Sequence, residues 1–132
     1  MKTWYHTTFP AFVFLIYSFS SQGQSLQDTA ALLNHCLAHP EVAELMAQRD
    51  SHEPPAIMNE GMFARTPELE VGKEQVVFYP RHELFQRAIT HFLMFYDFQI
   101  RQDRAHLRFR FAGFDRNFNL SFRKVDGKWV RG

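Results

Sequence analysis

Arg104, His106, Arg108 and Arg110 stand at alternate positions late in the chain, and Arg123 follows one hairpin on. In a strand, that spacing projects all of them from one face. A guanidinium grips a carboxylate, phosphate or sulfate through two parallel N–H bonds. The row is therefore a candidate partner-binding face for an unknown protein or an anionic envelope component. Asp97, Gln99, Arg101, Asn119 and Ser121 fall on the same face. Tyr96 is the only polar group expected at the centre of the opposite face, with no Asp, Glu or His beside it. General acid–base chemistry needs such a group within reach of a substrate proton, so no catalytic residue and no cofactor is expected. His35, Cys36 and His39 sit within one stretch of helical spacing. A zinc site takes three or four ligands, and His52, Glu53, His82 and His91 are the others available. The plainer reading packs Cys36 as a small apolar residue beside histidines at a helix end, and no metal is expected.

These side chains need a sheet to position them, and Phe92 to Trp129 supplies its pattern. The first strand is read with Met94, Tyr96, Phe98 and Ile100 on one face. The second carries Ala105, Leu107, Phe109 and Phe111, the third Phe118, Leu120 and Phe122, and a short fourth adds Trp129. Such alternation marks strands with one buried face. A turn at Gln102-Asp103 sets Ile100 opposite Ala105, Phe98 opposite Leu107, Tyr96 opposite Phe109 and Asp97 opposite Arg108. A turn centred on Phe114-Asp115 sets Phe111 opposite Phe118, Phe109 opposite Leu120 and Leu107 opposite Phe122. Asp126-Gly127 is a two-residue hairpin signal, since a type I′ turn requires positive φ at both positions, and it sets Trp129 beside Lys124. The rings of Tyr96, Phe98, Phe109, Phe111, Phe122 and Trp129 thus share an inner face. That face is either a filled core or, as an alternative function, a cone-shaped pocket for a small apolar ligand.

Upstream, Leu26, Ala30, Leu33 and Leu37 form one helical stripe. Pro40 ends that helix and starts a second, with Glu41 and Glu44 near its positive end, Val42, Leu45 and Met46 on its buried side and Arg49 in its last turn. Residues 50–74 carry little pattern beyond a short strand at Ala56–Met58, with Gly61 and Pro67 marking loop. Gln75–Tyr79 reads as a strand stopped by Pro80, and Arg81–Ile89 as a short helix with Leu84, Phe85, Ala88 and Ile89 apolar. The expectation is an α+β fold in which N-terminal helices pack on a curved antiparallel meander.

The order of elements, closing on Phe122-Arg123-Lys124-Val125-Asp126-Gly127-Lys128-Trp129-Val130, resembles the NTF2-like superfamily of small exported domains, with a cystatin-like fold as the nearest competitor. The resemblance implies a cone-shaped sheet wrapped around the first helix. Catalytic members of that superfamily resemble one another in placing acids, bases or a tyrosine inside the cone. This sequence departs from that pattern, since its inner face holds no central acid or histidine. An NTF2-like enzyme would have to draw its site from residues 50–74.

The chain has 132 residues and a single cysteine, Cys36, so no internal disulfide is possible. Residues 1–23 read as a signal peptide: Lys2, the apolar run Phe9–Phe19, then small residues before Gln24. Residues 24–132 are then one exported domain, periplasmic or secreted, that meets a membrane only through its signal segment. From Gln24 onward 14 basic residues face 14 acidic ones. The charges are segregated, with three basic and nine acidic residues up to Glu74, then eleven basic and five acidic. Acidic helices beside a basic sheet would account for that asymmetry. A chain without net positive charge is not expected to bind nucleic acid. The function expected is a non-enzymatic binding or scaffolding role, protein-binding first. N-terminal sequencing of the protein recovered outside the cytoplasm should begin near Gln24. An intact Met1 on a cytoplasmic product would contradict export.

Overall fold

The computed structural model of the chain describes residues 25–132, so the expected signal segment lies outside the described residues. Helix α1 (Leu26–Ala38) starts at Ser25, whose hydroxyl accepts the Asp28 N–H at 2.9 Å. Helix α2 (Pro40–Gln48) starts at His39, whose Nδ1 accepts the Glu41 N–H at 3.2 Å. Pro40 occupies the first turn, where an N–H would have no helical partner. Then follow β1 (Ala56–Met58), β2 (Glu70–Val71), β3 (Glu74–Gln75), β4 (Val77–Tyr79), helix α3 (Arg81–Gln86), β5 (Phe92–Arg101), β6 (Arg104–Ala112), β7 (Arg116–Val125) and β8 (Lys128–Arg131). β2 and β3 form a small separate hairpin, and the other strands make one sheet in the order β4-β1-β5-β6-β7-β8. The meander is antiparallel as expected, but β1 pairs parallel with both β4 and β5. The architecture is α+β with a mixed sheet, and the weakly patterned 50–74 region supplies one of its interior strands.

Both longer helices lie on the aromatic face. Leu32, Leu33, Cys36, Val42 and Met46 share one core with Ile57, Leu93, Leu107, Phe109, Phe111 and Phe122. On α1 the buried stripe is Thr29, Leu32, Leu33, Cys36 and Leu37, while Leu26 and Ala30 lie at its margin. The loop before β2 adds Phe63. Asn59 Oδ1 accepts the N–H groups of Gly61 and Phe63, and its Nδ2 donates to Phe63 O at 3.0 Å. The loop thus clamped inserts the Phe63 ring among Phe78, Phe95 and Phe98. Ala56 and Phe92, one position from Ile57 and Leu93, point to the other side. There Leu84 and Ile89 pack with Ala56, Met58, Tyr79 and Phe92. Short α3 therefore covers one end of the outer face. It stops at Gln86, Ala88 takes a positive φ, and Phe85 is left 87% exposed instead of joining Leu84.

Two expected registers are corrected. Asp97↔Arg108, Phe98↔Leu107 and Ile100↔Ala105 stand as read, but Phe95, not Tyr96, lies opposite Phe109. A β-bulge at Tyr96 sets two residues of β5 against one of β6, which turns Tyr96 and Asp97 to the same side. Phe95 is 7% exposed and packs on Phe98 and Phe109 with ring centroids 5.6 and 4.9 Å apart, whereas Tyr96 is 50% exposed. The exchange keeps a hydroxyl in water and a phenyl ring out of it. The second correction is a slip of two residues: Phe109 pairs with Phe118, Leu107 with Leu120 and Ala105 with Phe122. An even slip preserves the faces. Its cause is the three-residue loop 113–115 in place of a two-residue turn, which lets Phe114 fold back onto Phe111 and His91. Gly113 sits so close to that site that a Cβ would come within 2.5 Å of the His91 ring. The last hairpin matches its sequence signal: Asp126 and Gly127 both take positive φ, and Lys124 pairs with Trp129.

The bulge makes a sharp expectation. Phe95→Ala should destabilise the fold by about 3–5 kcal/mol in denaturant melts, as loss of a buried ring does. Tyr96→Ala should change stability by about 0.5 kcal/mol or less, as at an exposed site. The reverse order would restore the unbulged register.

Candidate functional site

β6 presents Arg104, His106, Arg108 and Arg110 on one face while Ala105, Leu107, Phe109 and Phe111 are buried on the other. The pairing aligns these residues with their neighbours in rows. Arg101, Arg104 and Arg123 form one row; Gln99, His106 and Ser121 the next; Asp97, Arg108 and Asn119 the third. The structure therefore brings all five expected partner-binding residues together in four successive rows, with Arg110 opposite Asn117 in the last. No described helix lies over these rows, and Arg101, Arg104, Arg108 and Arg123 are exposed.

Their charges are not equally free. His106 Nδ1 lies 3.6 Å from Asp97 Oδ2, and its Nε2 lies 2.6 Å from Asn119 Oδ1. Asp97 is thus engaged with His106, although in register it faces Arg108. Arg110 forms an ion pair with Asp115 across the β6–β7 loop. Asp115 therefore supplies from the loop a carboxylate that the strand spacing alone does not place. Arg101, Arg104, Arg108 and Arg123 have no carboxylate within ion-pair distance among the described residues. Two surface depressions lie among these groups. One of about 320 Å³ is lined by Gln99, Arg101, Arg104, His106 and Ser121. The other, about 260 Å³, is lined by Tyr96, Arg108, Asn117 and Asn119. Tyr96, expected inside, belongs to this outer surface.

On the inner face the rings pack against one another. Phe109 stacks on Phe118 at 5.0 Å, Phe98 meets Phe63 at 5.1 Å, and Phe111 and Phe122 are almost fully buried. His35 on α1 and His39 at its junction with α2 close the same core, His35 against Phe122 at 5.2 Å and His39 against Phe118 at 5.4 Å. Burial pushes the Cys36 thiol pKa up, away from the thiolate that a metal would need. Burial, with Arg131 adding to it, lowers that of His39. Among the described residues no three His, Cys, Asp or Glu side chains converge on a metal-sized site.

The acidic segment spends several of its charges inside the fold. Arg116 pairs with Glu41, and Lys124 Nζ reaches Asp28 at 2.9 Å while the Trp129 indole donates to the same oxygen at 3.0 Å. Burial works to raise the Asp28 pKa, but those hydrogen bonds outweigh it and the group stays more acidic than usual. Arg49 closes α2 by donating to Met46 O and Glu53 O, and pairs with Glu74 on β3.

One acid–histidine pair forms that spacing did not single out. Glu53 is buried and accepts the N–H groups of Thr90 and His91 at 2.5 and 3.0 Å, while Thr90 Oγ1 and His91 Nδ1 each lie 3.1 Å from its second oxygen. A nucleophilic relay would place the acid and the hydroxyl at opposite ring nitrogens. Here both meet Nδ1, so the carboxylate acts as a clamp on the turn before β5. The chain matches no family model, no curated protein and no solved structure in comparisons with each.

The clamp is pH-dependent. Burial pushes the Glu53 pKa up, but hydrogen bonds from His91 and Thr90 outweigh it and hold the group below its ordinary 4.5. A depressed carboxyl contributes stability that is full above its unfolded value and is lost as pH falls through its folded value. Glu53→Gln should therefore melt at a lower temperature near neutral pH, and the gap should narrow as pH drops below 4.5. A gap that stays constant through that range would contradict the clamp.

Proposed function

We propose that this chain is a small exported, non-enzymatic domain of NTF2-like architecture that holds an acidic segment of a partner protein against the outer face of its sheet. Export rests on the N-terminal sequence pattern, and the finer fold assignment on the order helix, helix, strands, helix, meander with both long helices on one side. The observation that carries the binding reading is the set of four guanidiniums, Arg101, Arg104, Arg108 and Arg123, exposed on neighbouring strands without carboxylate partners among the described residues. A patch whose function was only to stay solvated would gain by interspersing acids, as Asp115 does for Arg110. Each exposed guanidinium–carboxylate pair contributes about 0.2–1 kcal/mol, so affinity would come from several at once and fade as salt shortens their reach to about 8 Å.

Polyglutamate is a direct probe. The full chain should bind it at low ionic strength and release it as salt rises. The triple change Arg104→Gln, Arg108→Gln, Arg123→Gln should weaken binding by about tenfold or more, the equivalent of about 1.4 kcal/mol, while leaving the fold intact. Equal binding by the triple variant, or binding indifferent to salt, would show that the face is a solvated surface.

A further inference from the structure

The rows of the outer face are not equivalent. In the last row before the β5–β6 turn, Arg101 lies directly opposite Arg104, and Arg104 directly opposite Arg123. Side chains directly opposite across neighbouring strands stand about 4.5–5.5 Å apart at Cβ, and like charges so placed repel. The fold thus holds three cations on three adjacent strands with no carboxylate in their row. Asp97, two rows away, is engaged with His106. The row between contributes neutral hydrogen-bonding groups, Gln99 and Ser121, and these line the same depression as Arg101, Arg104 and His106.

The geometry points to a seat for one compact, multiply charged oxyanion. We infer that the row Arg101, Arg104 and Arg123 takes a phosphorylated side chain carried by the partner's acidic segment. This deepens the binding reading above and rests on it. A lone carboxylate brings one negative charge and two oxygens. A phosphate monoester near neutral pH brings about −1.5 to −2 and three strong acceptor oxygens. Three guanidinium-bearing side chains on neighbouring strands, Arg101 and Arg104 lining the depression and Arg123 lying along Gly132 at its edge, match the second far better than the first. Arg108 lies two rows off beside Asn119, so it serves the carboxylates of the flanking segment and not the phosphate.

The test uses two probes on the full chain: a glutamate-rich peptide, and the same peptide with one phosphoserine at its centre. The phosphoserine should raise affinity about tenfold or more at matched ionic strength, in keeping with two or three added charge-assisted hydrogen bonds. Arg104→Gln, in the middle of the row, should remove that gain, and Arg108→Gln should weaken both peptides while preserving it. Equal affinity for the two peptides would overturn the phosphate seat and leave the acidic-face reading standing. Failure of both peptides to bind would overturn both. Inorganic phosphate binding as tightly as the phosphoserine peptide would make the row a site for a free anion, and would overturn the partner assignment.

Discussion

The aromatic face of the meander is the constraint from which the rest follows. Phe95, Phe98, Phe109, Phe111, Phe118 and Phe122 project from three neighbouring strands, and Trp129 from a fourth. Rings of that size must leave water together, and each carries a large share of what holds a chain this short in one shape. The two longer helices supply the cover, and His35 and His39 seal it against Phe122 and Phe118. Because that cover is on one side, most of the other side keeps only its side chains, and short α3 shields just the end near β1 and β4.

Charge follows the same division. Asp28 and Glu41 are drawn into contacts with Lys124 and Arg116 at the edges of the core. The segregated charge of the two halves is therefore partly an internal matter, as the sequence implied. What remains uncompensated is local. Arg101, Arg104 and Arg123 stand in one register row on the side the two longer helices do not reach, and a partner with concentrated negative charge would relieve their mutual repulsion.

How far the sequence could be read depended on whether structure was encoded locally. The alternation of β6 predicts its two faces correctly, and Asp126-Gly127 predicts its hairpin, because both depend on nearest neighbours. The choice between Phe95 and Tyr96 does not. Strict alternation through Phe98 and Ile100 selects Tyr96, and only the rings of Phe63, Phe98 and Phe109 favour the bulge that buries Phe95 in its place. The two-residue slip of β7 depends likewise on Phe114 finding Phe111 and His91. Residues 50–74 were opaque because their order comes from distant partners: the parallel neighbours of β1, the Asn59 clamp, and Glu53 gripping a turn 37 residues on. The arginine face was legible as a face. That Arg110 is already satisfied, and that Arg123 stands opposite Arg104 and not His106, required the loop and the register.

The central claim is that the Arg101–Arg104–Arg123 row is strained by like charge within the chain itself. The most direct measurement is the difference in unfolding free energy between the natural chain and Arg104→Gln as sodium chloride is raised from low concentration, with the other ion pairs common to both and cancelling. The account predicts that the variant is the more stable at low salt, and that the advantage shrinks as salt screens the natural row. A variant less stable at low salt, or a difference that salt leaves unchanged, would mean that Arg104 is compensated, and the row would lose its claim to be a binding site.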